Sequence, residues 1–144
     1  MELTDGRLLL DCRDECAPYR LATESRDGGR TWGEFRQGLP AAPVACAIER
    51  YTLKADGDDR NRILWTGPKD LAASVPTWSD GRKKLVARLS YDEGLTFPVE
   101  RLVAAGHAAY SDLAILKDKS AGVLWERGEY RFIAFTRLDR EFFA

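Results

Sequence analysis

Short apolar runs that alternate with polar positions and stop at turn residues occupy most of this chain. They are "GRLLLDCR" (6–13), "YRLATES" (19–25), "AIERYTL" (47–53), "NRILWTG" (61–67), "KKLVARLS" (83–90), "YSDLAIL" (110–116), "AGVLWER" (121–127) and "YRFIAFTRL" (130–138). Runs of this length and period predict strands, and no stretch carries a convincing helical repeat. Asp5-Gly6, Asp56-Gly57, Asp80-Gly81 and Asp118-Lys119 predict the tight connections, because Gly and Asp tolerate the backbone angles that hairpins require. A meander of about eight to ten such strands predicts an all-β fold: a sandwich, a barrel or a propeller.

A repeated turn chooses among these. "ESRDGGRTWGEF" (24–35) returns in looser form as "LSYDEGLTFPVE" (89–100), and both fit Ser-x-Asp-x-Gly-x-Thr-aromatic. The first copy is Ser25, Asp27, Gly29, Thr31 and Trp32; the second is Ser90, Asp92, Gly94, Thr96 and Phe97. In such a turn the Asp carboxylate can accept backbone N–H groups, the Gly can take a positive φ, and the aromatic ring can plug the neighbouring sheet. The motif is a structural staple, used each time after what reads as the third strand of a unit. Repetition on that scale predicts β-propeller blades of four antiparallel strands. The expected units are residues 1–42, 43–105 and 106–144 of a single domain, the last with only three strands.

Composition narrows the functional classes. The 22 basic and 23 acidic residues give a net charge of -1, so no global field favours nucleic acid or an anionic membrane as partner. No apolar run approaches a membrane span, and the first residues lack a signal-peptide pattern, which leaves the compartment open. Cys12, Cys16 and Cys46 with the single His107 make a poor metal set, so neither metal nor cofactor is expected.

Candidate chemistry sits on the last hairpin. Tyr110 and Glu126 lie symmetrically about the Asp118-Lys119 turn, so an antiparallel hairpin folded there sets them opposite one another at its open end. A phenol and a carboxylate would then share one end of a blade. An edge-packing tyrosine beside a solvated strand-end glutamate would produce the same pattern.

The two turns resemble the Asp-box, or bacterial neuraminidase repeat, of the sialidase superfamily, whose members are six-bladed β-propellers. The tail "AAYSDLAILKDKSAGVLWERGEYRFIAFTRLDREFF" (108–143), with its Tyr-Ser strand start and aromatic-Glu-Arg-Gly strand end, is similar to the closing segment of that family. With "ELTDGRLLLDCR" at the front, the likeness covers nearly the whole chain and only the C-terminal half of a six-bladed enzyme. The resemblance implies an exo-α-sialidase of the retaining kind, acting on sialylated glycans. Tyr110 matches its nucleophile, and tyrosine is the exception among glycosidase nucleophiles. A neutral phenol suits a sugar with a carboxylate at its anomeric carbon, since an anionic nucleophile would approach against like charge. Glu126 completes the candidate catalytic pair and matches the glutamate that steadies the first arginine of a carboxylate-binding triad. Arg82 matches the third arginine, and Arg13 the second, with Arg20 as fallback. Arginine suits the task because its guanidinium fork meets a carboxylate bidentately and keeps its charge.

Other family elements have no counterpart in these residues. Folding "ELTDGRLLLDCR" about Asp5-Gly6 sets Arg13 opposite a position before Met1, where the family keeps the glutamate that activates the tyrosine. The Arg-Ile-Pro arginine and the acid/base aspartate are missing too, and three blades leave exposed edges through which self-association is expected. The chain therefore reads as part of a longer sialidase-like protein. A non-catalytic Asp-box binding module, or a hydrolase of another acidic sugar, is the alternative. The segment 67–82 reads as an inserted rim loop in which Trp78 could stack on sugar or bury itself. Lys83 and Lys84 read as solvated flank, His107 as structural, and Ser111 and Asp112 as shaping the strand start.

Overall fold

The computed structural model describes residues 1–70 and 82–144, and the predicted turn at Asp80-Gly81 and Trp78 lie outside those residues. The described residues form nine strands and two single 3-10 turns: β1 (Leu8–Arg13), β2 (Tyr19–Ser25), β3 (Arg36–Pro40), β4 (Ala47–Thr52), β5 (Arg62–Pro68), β6 (Lys83–Ser90), β7 (Val99–Ile115), β8 (Ala121–Arg127) and β9 (Phe132–Leu138). All neighbours are antiparallel and consecutive. β1-β2-β3 make a first sheet, and β4 to β9 follow one another in a continuous six-stranded order. That order is two sheets joined by one strand. The first part of β7 pairs with β6 as far as His107, and the second part, from Ala108, pairs with β8. Register shifts at Lys83/Leu85, Leu85/Val86 and Ala108/Ser111 mark where β7 leaves one partner for the other; such bulges bend a strand and raise its twist.

The middle sheet explains the near-continuous apolar runs. β5 and β6 are covered on both faces, with alternate residues serving different cores. Ile63, Trp65 and Val86 pack toward Leu9, Ala22 and Ala41, whereas Leu64, Leu85, Ala87 and Leu89 join Leu113, Val123, Trp125 and Leu138 on the other side. Full burial of each leucine, isoleucine or valine among them contributes about 1.5–3 kcal/mol, and of each alanine less. The outer sheets are covered on one face only. On β8 and β9, Leu124, Ile133 and Phe135 remain exposed while Val123, Trp125 and Leu138 are buried, and among the described residues β9 pairs with β8 alone.

A buried polar cluster ties the first sheet to the second. Arg20 Nε and Trp65 Nε1 each donate to Asp11 Oδ2 at 3.0 Å, and Arg20 Nη1 donates to the Val44 carbonyl at 2.7 Å. Burial pushes the Asp11 carboxyl up, opposed by the Arg20 guanidinium and the Trp65 indole. Arg88 stacks on the Trp65 ring at 4.9 Å while bonding Glu100 and the Pro40 carbonyl.

Both Ser-x-Asp-x-Gly-x-Thr turns form, with matching bonds. Ser25 Oγ donates to Asp27 Oδ1 and accepts the Gly29 N–H, while Asp27 accepts the Thr31 N–H at 2.9 Å and hydroxyl at 2.7 Å. Ser90, Asp92, Gly94 and Thr96 repeat this, with 2.8 Å from the Gly94 N–H to Ser90 Oγ and from the Thr96 N–H to Asp92 Oδ1. Two residues in succession take positive φ in each turn, Gly28 and Gly29 in the first, Glu93 and Gly94 in the second. The aromatic residues differ. Phe97 packs into the cores between the first and second sheets, but Trp32 is 40% exposed and plugs no sheet.

The strand at 99–107 and β3 are additions to the pattern reading. "RQGLP" has no alternation and ends in proline, which an edge strand tolerates. The start of β7 is rich in small and charged residues because it runs along the outside of the middle sheet, where less side chain is buried. The described residues are all-β, three antiparallel sheets of three, four and three strands when β7 is counted in both sheets it joins.

Candidate functional site

Tyr110 is the meeting point of the three sheets. It lies on the second half of β7, where the register sets Ser111 opposite Trp125 and Asp112 opposite Leu124, so Glu126 stands beside it at the end of the hairpin. The Tyr110 backbone N–H donates to Glu126 Oε2 at 3.1 Å. The bulge between Ala108 and Ser111 frees that N–H from the ladder and lets the carboxylate take it. A shallow groove of about 150 Å³ runs along Tyr110, Glu126, Leu124 and Ile133.

Two arginines reach this tyrosine from the other sheets. Arg13, the last residue of β1, directs Nη1 to the Tyr110 hydroxyl at 3.4 Å, a long contact, and pairs through Nη2 with Glu15 at 2.8 Å. Arg82, immediately before β6, places its guanidinium carbon 5.8 Å from the centre of the Tyr110 ring. Its side chain is 8% exposed, so the charge is held near the rim and largely out of solvent. Strand ends from three sheets thus converge on one phenol with two guanidinium groups and the Glu126 carboxylate, and the exposed Glu15 carboxylate pairs with Arg13 from outside. Such a surface suits a ligand carboxylate, because a low-dielectric guanidinium binds an anion more strongly than a solvated one does.

Arg20 does not take part. It is buried between the first two sheets and committed to Asp11 and Val44, which removes it as an alternative to Arg13. Lys83 and Lys84 are exposed, and Lys84 faces Asp70 at 3.6 Å. Ser111 Oγ bonds the Thr66 carbonyl and hydroxyl, each at 3.1 Å, and Asp112 accepts the N–H of Leu113; both shape the strand. The three cysteines are unpaired, and burial pushes the Cys46 thiol up to about 12. Among the described residues no cluster of His, Cys, Asp or Glu could hold a metal ion.

One neighbour escaped the sequence reading. Tyr130, in the turn between β8 and β9, bonds Arg82 through its hydroxyl, and its ring centre lies 5.7 Å from the Arg82 guanidinium carbon. The His107 ring meets Tyr130 edge-on at 5.0 Å. The only sequence signal for Tyr130 was its place in the Gly-Glu-Tyr turn that follows Glu126 and Arg127.

No family model matches the chain. A sialidase of Micromonospora viridifaciens is 35% identical over 132 residues, covering 89% of this chain and 19% of that protein. A sialidase of Bacteroides fragilis is 28% identical over 129 residues, covering 87% of this chain and 23% of that protein. Among solved structures, the NanB sialidase of Streptococcus pneumoniae superposes with a TM-score of 0.80 at 17% identity, over 99% of this chain and 23% of that one. The chain spans about a fifth of the length of the curated relatives it matches.

Proposed function

We infer, from a chain of the sialidase superfamily whose fold is part of a sialidase-type β-propeller, that these residues supply the nucleophile end of a retaining exo-α-sialidase site. The observation that carries the reading is the convergence of Arg13 and Arg82 on Tyr110, with Glu126 bonded to the same tyrosine. In this reading the two arginines bind the carboxylate of a terminal sialic acid and turn its anomeric carbon toward the Tyr110 hydroxyl. The phenol oxygen attacks that carbon, the glycosidic bond breaks, and water later releases the sugar from the tyrosine. Glu126 fixes the Tyr110 backbone through its N–H, and by resemblance its carboxylate would steady a further arginine of the carboxylate-binding set.

The step also needs a base for the phenol proton and an acid for the leaving oxygen. Among the described residues the hydrogen-bond partner of the Tyr110 hydroxyl is Arg13, not a carboxylate. In the proposed enzyme those two groups are to be sought outside the described residues. The same observation favours a second reading of the described residues: binding of a carboxylate sugar without hydrolysis.

The test is hydrolysis of an aryl sialoside by the protein that carries this chain, wild type against Tyr110→Phe. The expected loss is about a thousandfold or more, the scale on which removal of a nucleophile acts. Activity within a few-fold of wild type contradicts the assignment. Arg82→Ala assayed on sialosides and uronides separates a sialic acid site from one for another acidic sugar.

A further inference from the structure

We propose that Tyr130 is a positioning residue that holds the Arg82 guanidinium over Tyr110 for an incoming carboxylate; this rests on the reading of the site given above. Arg82 lies close to two phenol rings, with its guanidinium carbon 5.8 Å from the Tyr110 centroid and 5.7 Å from that of Tyr130. Its Nη1 donates to the Tyr130 hydroxyl, while its buried Nε has no hydrogen-bond partner among the described residues. A flexible guanidinium loses rotamer freedom when it binds an anion, and fixing it beforehand lowers that cost. The Tyr130 oxygen engages one of the five N–H groups that a guanidinium carries, and the two rings near it limit its movement.

Tyr130 is itself held from two directions. Gly128, Glu129 and Tyr130 take positive φ in succession, at 60°, 56° and 67°, and the Arg131 N–H closes the turn on the Gly128 carbonyl at 3.2 Å. A non-glycine residue in that region costs about 1–2 kcal/mol, and two in a row turn the Tyr130 ring back toward β6. Such strain persists where the surroundings over-determine it, often beside ligand sites. The surroundings here are His107 and Arg82. The His107 ring meets Tyr130 at 5.0 Å with planes 78° apart, His107 pairs in register with Lys83, and the Ala108 N–H donates to the Arg82 carbonyl at 2.9 Å. Backbone and side chains thus close a loop of contacts through Arg82, His107 and Tyr130.

Tyr130→Phe removes the oxygen and keeps the ring, at an exposed turn where the fold loses little. The readout is the guanidinium Nε–H of Arg82 in nitrogen-edited NMR spectra of the protein that carries this chain, assigned by its loss in Arg82→Lys. In Tyr130→Phe that signal is expected to shift and its hydrogen exchange to quicken at least several-fold, while amides of β4 and β5 keep theirs. An unchanged Arg82 signal overturns the proposal. N-acetylneuraminate is then titrated into both proteins. Where the wild type responds at Arg82, the variant is expected to bind about tenfold more weakly, the scale of a hydrogen bond to a charged group; equal affinity overturns the positioning role. A wild type whose Arg82 never responds speaks against the carboxylate site, and the exchange comparison still decides whether Tyr130 holds Arg82.

Discussion

The two Asp-box turns share one set of hydrogen bonds and differ in what surrounds them. The second turn is wedged between sheets. Glu93 accepts both Nη groups of Arg50 at 2.7 and 2.6 Å and the N–H of Thr4 at 2.8 Å, so one residue ties the first hairpin to β4. A Cβ on Gly94 would stand 2.8 Å from Leu9 Cδ2, and Phe97 enters the cores on that side. The first turn faces outward. Gly28 has open space around it, Gly29 would meet Leu8 only at 3.5 Å, and Trp32 is exposed. A local motif therefore specifies its own geometry, and the neighbouring sheet decides how much stability depends on it.

Substitution at the paired glycines breaks that comparison most sharply. Gly94→Ala adds a methyl group against Leu9 at φ +83° and is expected to cost about 2–4 kcal/mol. Gly29→Ala, at φ +88° with ordinary contacts, is expected to cost about 1 kcal/mol. Urea midpoints measure both, and equal losses would mean that the packing around the second turn carries no weight.

The paired aspartates give a smaller contrast. Asp92→Ala, which strands the Thr96 and Ser90 groups in a partly buried turn, is expected to lower stability by about 1–2 kcal/mol. Asp27→Ala removes the same bonds in an exposed turn and is expected to lose less. Thermal melts of the two variants rank them, and the reverse order contradicts the comparison.

Acid sharpens it least. The Thr31 hydroxyl and N–H and the Ser25 hydroxyl hold the Asp27 carboxyl down at about 2, and Asp92 is lowered despite burial by the matching bonds from Thr96 and Ser90. A carboxyl lowered by folding contributes stability above its unfolded value of 3.8, and that contribution is lost as pH falls through its folded value. Wild-type melts should therefore drop between about pH 4 and 2, and Asp92→Asn should drop less over that window.

Much of this architecture was legible in the chain. β1, β2, β4, β5, β6, β8 and β9 follow apolar runs bounded by turns, because each buries at least one face in a regular pattern. β3 and the first half of β7 were not legible, since their pairing depends on bonds to β2 and β6 rather than on their own side chains. At the site, the hairpin symmetry about Asp118-Lys119 already set Tyr110 beside Glu126, and the structure adds the N–H to carboxylate bond. Arg20 could not be told from Arg13 by spacing; only the tertiary placement of Asp11 and Trp65 shows that it is a buried structural cation. Tyr130 was invisible for the same reason, because its contact with Arg82 spans two sheets and depends on a left-handed turn.

The central claim is that Tyr110 attacks a sialic acid held by Arg13 and Arg82, and covalent capture tests it most directly. The protein that carries this chain would be treated with a fluorinated sialosyl fluoride, whose good leaving group speeds attack and whose ring fluorine slows release, and its peptides weighed by mass spectrometry. The account predicts one sialosyl group on the peptide containing Tyr110 and none in Tyr110→Phe. A sialosyl group on another residue, or turnover of sialosides with Tyr110 never modified, would contradict it.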